Sequence, residues 1–312
     1  MDPRTAIVTG ASSGLGLACA GALLERDPGW HVALAVRDPR RGREAVAALR
    51  QPGRCTVLEL DLASLASVRD FVERYPAASL PAPRAVICNA GIQLTSGARL
   101  SEDGIELTFA VNHLGHFALV SGLLERLALP ARIVVVSSDT HDSGRRTGMP
   151  APLYTSAEEI AHPSAAAPAR PAAVTGGRSV TWLGRRRYTT SKLCNVLFAY
   201  ELDRHLGEGA RGIAVNAFNP GLMPGSGLAR DYGTLQRAAW RFLMPALRVL
   251  PQVRGTGRSG RDLAALVTDP AYEGVTGRYF DGLKPIRSSE DSYDRAKARD
   301  LWETSERLIA GG

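Results

Sequence analysis

The octapeptide Thr9-Gly10-Ala11-Ser12-Ser13-Gly14-Leu15-Gly16 follows an apolar run, Thr5 to Thr9, and precedes a helix-compatible stretch. Strand, glycine-rich turn and helix in that order constrain the fold more than any other feature of the chain. Glycines let the chain turn tightly and let the backbone approach a pyrophosphate, while the helix N-terminus offers free N–H groups and the positive end of its dipole. A glycine-rich turn without a ligand would not need that order, so the segment reads as a dinucleotide site. Further apolar runs recur at His31 to Val36, Thr56 to Leu60, Ala85 to Cys88, Ile133 to Val136 and Ile213 to Phe218. They are too uniformly apolar for a sheet with one wet face. The expected fold is therefore α/β, a doubly wound parallel sheet (Rossmann) in a three-layer sandwich with helices on both faces. At 312 residues the chain fits one such domain, residues 1–312, carrying two insertions.

The first insertion runs from Asp139 to Arg187, is rich in Pro, Gly, Ala and Arg, and contains Arg145-Arg146 and Arg185-Arg186-Arg187. The second runs from Leu222 to about Gly257 and includes the apolar and aromatic segment Ala238 to Leu250. Long excursions from a compact domain are commonly lids or linkers, and both are expected near the mouth of the site. Within Asp291 to Ile309, the spacing of Leu301, Trp302, Leu308 and Ile309 predicts a helix. The start of the chain lacks a charged n-region and long apolar h-region, and no apolar run reads as long enough to span a bilayer, so neither a signal peptide nor an integral membrane segment is expected. Cys19, Cys55, Cys88 and Cys194 have no metal-like spacing, which suits reduced thiols in a cytoplasmic protein with no metal site.

A formal net charge of +7 raises nucleic acid, a membrane surface or an anionic ligand as partners. Seven arginines fall between Arg26 and Arg54. A phosphate-bearing nucleotide accounts for part of this cluster, and the rest reads as a solvated face, since no nucleic-acid-binding motif is present. At the end of the second strand, where an acidic residue would hold the adenosine ribose of NAD, stands Arg37, followed by Asp38, Arg40, Arg41 and Arg43. A guanidinium pairs with a 2′-phosphate in two-pronged geometry and a carboxylate would repel it, so the expected cofactor is NADP(H). The candidate cofactor residues are Gly10, Ser12, Ser13, Gly14, Leu15, Gly16 and Arg37. To these add Asp61 and Leu62 after the third strand, for the adenine edge, and Asn89, Ala90 and Gly91 after the fourth, at the topological switch point.

Tyr188-Thr189-Thr190-Ser191-Lys192 opens a helix-compatible run in which Leu193, Val196, Leu197 and Tyr200 recur at helical spacing. Tyr188 and Lys192 then share one face. An unperturbed tyrosine titrates near pH ~10, and a nearby lysine cation favours the phenolate, which makes the pair a usable acid or base. Taken alone, Tyr-x-x-x-Lys arises often by chance as a surface tyrosine and a solvated lysine. Here it follows the nucleotide loop and is accompanied by Ser137-Ser138 at the end of the fifth strand. A hydroxyl there faces the ligand crevice and can donate to a carbonyl oxygen as charge develops.

With these motifs in order, the chain resembles the short-chain dehydrogenase/reductase family along nearly its whole length. The resemblance implies that Tyr188 is the general acid or base, and that Lys192 tunes it and holds the nicotinamide ribose. It further implies that Ser138 orients substrate, and that Asn112, within Val111-Asn112-His113-Leu114-Gly115-His116-Phe117, supports a proton path through lysine and water. Pro220-Gly221 matches the family's motif beside the nicotinamide, and both residues join Tyr188 and Lys192 as cofactor contacts.

Within the family the likeness is to light-dependent protochlorophyllide oxidoreductases, with retinol dehydrogenase-like reductases next. The long interval from Ser138 to Tyr188, the segment Ser191-Lys192-Leu193-Cys194-Asn195 and the tail from Ala296 to Glu306 carry it. One departure counts against the photochemical reading. Protochlorophyllide reductases characteristically carry a cysteine just after this Pro-Gly, where this chain has Leu222, and Met223-Pro224-Gly225-Ser226 leaves Ser226 as the substitute cofactor donor. The expected activity is therefore NADPH-dependent reduction of a carbonyl on a bulky, largely apolar small molecule such as a polyketide, steroid-like or isoprenoid ketone. Tyr232, Leu235, Trp240, Phe242, Leu243 and Leu247 would supply an apolar wall, or else a helix packed on the core or a dimer contact. The alternatives are a light-dependent protochlorophyllide reductase and a non-catalytic NADP-binding regulator. Family members are often dimers or tetramers, so a homo-oligomer is compatible with the resemblance.

Overall fold

A computed structural model of the chain describes residues 3–163, 179–209, 211–221 and 254–311. Eight strands form one sheet in the order β3-β2-β1-β4-β5-β6-β7-β8. They are β1 (Arg4–Thr9), β2 (Trp30–Val36), β3 (Cys55–Glu59), β4 (Pro83–Cys88), β5 (Ala131–Val136), β6 (Ile213–Asn219), β7 (Arg278–Asp281) and β8 (Lys284–Ile286). Every pairing from β3 through β7 is parallel, and β8 alone returns antiparallel to β7. The helices are α1 (Gly14–Arg26), α2 (Pro39–Ala47), α3 (Leu65–Arg74), α4 (Leu107–Phe109), α5 (Gly115–Leu123), α6 (Ala157–Ala161), α7 (Val180–His205), α8 (Thr256–Thr268) and α9 (Arg295–Ala310), with a π turn, Ala110–Leu114, between α4 and α5.

Alternation along each strand divides the core between two helix layers. Ala6, Val8, Val32, Leu34, Ile87, Val134, Val136 and Phe218 join the cluster of α1, α2 and α8. Their neighbours Ile7, Ala33, Ala35, Val86, Ile133, Val135 and Val215 join that of α3, α5 and α7. Two-sided burial is why these runs are so largely apolar, and each fully buried Leu or Phe contributes roughly 1.5–3 kcal/mol. A third cluster joins α4, α6, α7 and α9 through Phe109, Ala161, Leu197 and Leu301.

Three expectations change. The first insertion was expected to reach Arg187, but Val180–Arg187 forms the first two turns of α7, so Tyr188 lies inside that helix rather than at its start. Parts of the insertion are ordered against the body: Tyr154 Oη donates to Asp300 Oδ2 at 2.8 Å, and the Ala157 N–H reaches the same oxygen at 2.7 Å. The strands β7 and β8 were not anticipated. Finally, Leu107–Arg126 is long and apolar enough by composition to cross a membrane, yet 72% of its most apolar window is buried inside the protein, as for a core helix. The second insertion from Leu222 onward, including Ser226 and the segment Ala238 to Leu250, lies outside the described residues until Arg254, and Thr256 already begins α8.

Candidate active site

The glycine segment joins the carboxyl end of β1 to the N-terminus of α1. β1 pairs with β2 on one side and β4 on the other, the place where a doubly wound sheet opens a crevice for ligand. Gly10 and Gly14 have φ of 66° and 60°, the left-handed region that disfavours other side chains. Gly16 is required for space: a Cβ there would lie 2.6 Å from Asn89 Nδ2 and 2.8 Å from the Gly10 carbonyl oxygen. Ser12, Ser13 and Leu15 sit in the same turn, which has no acidic residue in the first turn of α1 to compete with an anion. Gly16→Ala is expected to lower stability by about 1–3 kcal/mol and to weaken dinucleotide binding together with it, read by urea unfolding alongside a cofactor titration.

Thr9 anchors this cradle. Its Oγ1 accepts the backbone N–H groups of Asn89 and Ala90, each at 2.9 Å, and lies 2.9 Å from His116 Nε2. Asn89 Nδ2 donates to the Thr9 carbonyl at 2.7 Å, so Asn89 fastens the wall of the cleft between β1 and β4. His116 Nδ1 is 3.2 Å from the Asn112 carbonyl, and burial lowers the ring's pKa to about 4. The neutral ring therefore donates from Nδ1 and accepts the Thr9 hydroxyl at Nε2.

Other residues of the segment Asn112 to Phe117 also fasten neighbouring elements. Asn112, on the π turn, accepts the Ile92 N–H at Oδ1 (2.7 Å) and donates from Nδ2 to the Ile92 carbonyl (3.0 Å) and to Ser191 Oγ (2.9 Å). His113 faces the other way and bonds Ser305 Oγ of α9 at 2.9 Å. Gly115 admits the loop after β3, since a Cβ there would meet the Leu62 carbonyl oxygen at 2.4 Å. Phe117 packs its ring 5.5 Å from that of Phe198. A π turn shifts the register of the side chains that follow it, and such turns recur at functional sites.

On α7, Tyr188, Lys192 and Asn195 fall on one face, directed by the buried Leu193, Val196 and Leu197 beside them. Lys192 is 4% exposed, and its Nζ donates to the Val136 carbonyl at 3.2 Å, 5.5 Å from the centre of the Tyr188 ring. Burial lowers its pKa to about 8. Asn195 Nδ2 reaches the same Val136 oxygen at 2.9 Å, and Ser137 Oγ donates to the Lys192 carbonyl at 2.7 Å, so α7 is pinned to the end of β5 at three points. A Cβ at Gly91 would lie 3.6 Å from Lys192 Nζ, which puts the end of β4 beside the lysine.

The remaining candidates surround this centre. Ser138, two residues past the end of β5, caps the turn Asp139–His141; its hydroxyl donates to Asp139 Oδ1 at 3.1 Å and accepts the Thr140 N–H at 3.3 Å. Arg37 is exposed just past β2. Asp38 beside it is used by the fold, its Oδ1 accepting the Arg40 and Arg41 N–H groups as the cap of α2. Asp61 makes a turn of its own, accepting the Ala63 N–H at 2.9 Å. Pro220 and Gly221 follow β6, where Asn219 Oδ1 accepts the N–H groups of Gly221 (3.1 Å) and Asp139 (3.3 Å). Asn195 and Asn219 were missed by sequence reasoning. Each is a buried amide within an otherwise apolar stretch, and that pattern was the available signal.

The arrangement places a buried lysine, a tyrosine and a strand-end serine beside a cradle for a dinucleotide, which suits transfer of hydride and proton. Known proteins agree. A family model of short chain dehydrogenases matches residues 4–157. Over 314 residues the chain is 34% identical to a WW domain-containing oxidoreductase of Danio rerio, an overlap of 99% of this chain and 69% of that protein. Over 317 residues it is 35% identical to a protochlorophyllide reductase of Avena sativa, covering 97% and 98%. A solved structure of an uncharacterized protein from Mycobacterium Paratuberculosis is 30% identical with a TM-score of 0.68, covering 99% of this chain and 94% of that one. Likeness of this extent, on a fold whose strand-end residues already point to hydride chemistry, makes the chain an oxidoreductase that belongs to the short-chain dehydrogenase/reductase family.

Proposed function

We propose that the protein uses NADP(H) to reduce a carbonyl of a bulky, largely apolar small molecule, a polyketide, steroid-like or isoprenoid ketone, with Tyr188 as proton donor. The observation that carries this reading is the buried Tyr188–Lys192 pair, pinned to the end of the strand that Ser138 follows two residues on. The residues present fit a dinucleotide, because Gly10 and Gly14 turn the backbone through the left-handed region at the N-terminus of α1, and no atom from elsewhere among the described residues lies within 4 Å of where a Cβ at Gly14 would stand. When bound, the reduced nicotinamide supplies the hydride. Tyr188 then protonates the developing alkoxide, and the Lys192 cation favours the phenolate that is left behind. Ser138 donates to the carbonyl oxygen, where charge develops. Asn112 holds the Ile92 loop and Ser191 in place around the lysine.

The choice of NADP(H) rests on the end of β2. Asp38, which could have held a ribose hydroxyl, is engaged by the cap of α2, whereas the side chains of Arg37, Arg40, Arg41 and Arg43 make no ion pair among the described residues. Arg37→Glu is expected to shift the ratio of kcat/KM for NADPH over NADH downward by about 10- to 100-fold, the worth of one charge-assisted contact. Unchanged preference would assign the 2′-phosphate to other residues.

A second reading, light-dependent reduction of protochlorophyllide, is favoured by the 35% identity to the Avena sativa enzyme over 98% of its length. Leu222, where those reductases characteristically carry cysteine, counts against it. The deciding experiment incubates purified protein and NADPH with protochlorophyllide or with a panel of bulky apolar ketones, in darkness and under illumination. Dark consumption of NADPH with a ketone supports the carbonyl reading, and conversion of protochlorophyllide in light alone replaces it.

A further inference from the structure

His141 ends the turn that Ser138 caps, and its ring is 1% exposed, packed 4.8 Å from the ring of Tyr279 on β7. Both of its nitrogens are committed. Nδ1 lies 2.6 Å from the Ser138 carbonyl oxygen, and Nε2 lies 3.0 Å from the backbone N of Ser289. A carbonyl can only accept and a backbone N–H can only donate, so the ring is neutral with its proton on Nδ1. The burial that lowers the pKa of this ring acts in the same direction.

The contact does not stop at Ser289. Ser292 Oγ donates to the Ser289 carbonyl at 2.6 Å, which leaves it to accept from Ser288 Oγ at 2.7 Å. Ser288 Oγ in turn accepts from Tyr200 Oη at 2.8 Å. These bonds run in one direction from Tyr200 to Ser289, and His141 then joins that segment to Ser138. Tyr200 is buried on α7, the helix that carries Tyr188 and Lys192. Ser138 is thus tied to α7 twice, through β5 and Ser137, and through His141 and the serine segment.

We propose that His141 is a positioning residue for Ser138. Its Nδ1–H, at 2.6 Å, joins its own backbone N–H, at 3.2 Å, on the Ser138 carbonyl and so tightens the extended backbone, φ −167° and ψ 155°, from which the serine hydroxyl projects. The Ser289 N–H fixes the ring, and the serine segment keeps that amide in register with α7. The inference rests on the role given to Ser138 in the carbonyl-reductase reading.

The test measures NADPH-dependent reduction of 9,10-phenanthrenequinone, a bulky apolar diketone, by His141→Ala, His141→Asn, Ser138→Ala and the double variant Ser138→Ala/His141→Ala. His141→Ala is expected to lower kcat about 10-fold or more with NADPH affinity unchanged. His141→Asn, whose Nδ2 can take the place of Nδ1, recovers most of that loss. Because His141 acts through Ser138, its removal adds less than about 2-fold once the serine hydroxyl is gone. Losses that multiply in the double variant, or an Asn variant as impaired as Ala, overturn the proposal. Two-bond 1H–15N spectra of the wild-type ring give a readout without any substrate. Nδ1–H with Nε2 unprotonated is expected, together with a change in the Ser138 carbonyl resonance in His141→Ala that His141→Asn reverses; a proton on Nε2 overturns it. If the wild type does not reduce the quinone, the carbonyl reading loses support while the spectra still decide the role of His141.

Discussion

Tyr188→Phe is expected to lower kcat by about 10³-fold, within the range that a positioned acid or base contributes, while NADPH affinity and thermal stability stay close to wild type. The reason lies in what the substitution removes. Tyr188 is 7% exposed on a helix fixed to β5 by Ser137, Lys192 and Asn195, and phenylalanine keeps the ring in that packing. What is lost is the hydroxyl, and with it the proton donor. Steady-state rates with a ketone, fluorescence titration with NADPH and a melting curve separate the effects. Turnover near wild type would remove Tyr188 from the chemistry, whereas loss of NADPH binding as well would make its role structural.

How legible the molecule was in its sequence depended on what each residue answers to. Six strands could be read because burial on both faces makes most positions of β1, β2, β4, β5 and β6 apolar, and β3, although only half-buried, keeps Val57 and Leu58 in its run. β7 and β8 could not, being four and three residues long at the end of the sheet, although Asp281-Gly282 between Phe280 and Pro285 is a hairpin signal. The first turns of α7 were hidden because Arg185, Arg186 and Arg187 interrupt the apolar stripe, and Ser179, which accepts the Trp182 N–H as the cap, stands in a Gly- and Arg-rich stretch. Gly10, Gly16, Tyr188 and Lys192 were visible as candidates because their motifs are local in sequence. The partners that place them were not. His116 meets Thr9 across 107 positions, Asn219 meets Asp139 across 80, and His141 meets Ser289 across 148. Only the folded sheet brings such pairs together. Asp38 shows the opposite case, an acidic residue next to the nucleotide position held by Arg37 that the fold uses to cap α2.

Lys192→Met is expected to remove most turnover and yet to stabilise the protein without cofactor at pH 7, by on the order of 3 kcal/mol. Burial lowers the lysine's pKa from 10.5 to about 8, so its charged form is disfavoured in the folded state relative to the unfolded chain. The sign follows from proton linkage. Below about pH 8 the lysine is charged in both states, and the folded protein bears the full cost of holding that cation away from water. Between about 8 and 10.5 the unfolded chain binds more protons than the folded one, so wild-type stability rises with pH and the advantage of methionine shrinks; above 10.5 that advantage is gone. Methionine matches the length of the lysine stem, and the Val136 carbonyl that would lose Nζ keeps its bond from Asn195 at 2.9 Å, so the substitution strands no acceptor. Urea unfolding of both proteins at pH 7 and at pH 10 measures the difference. A methionine variant less stable than wild type at pH 7 would show that the ammonium is stabilised by its surroundings in the folded protein, and would remove the inference that this site holds a costly cation for the sake of its tyrosine.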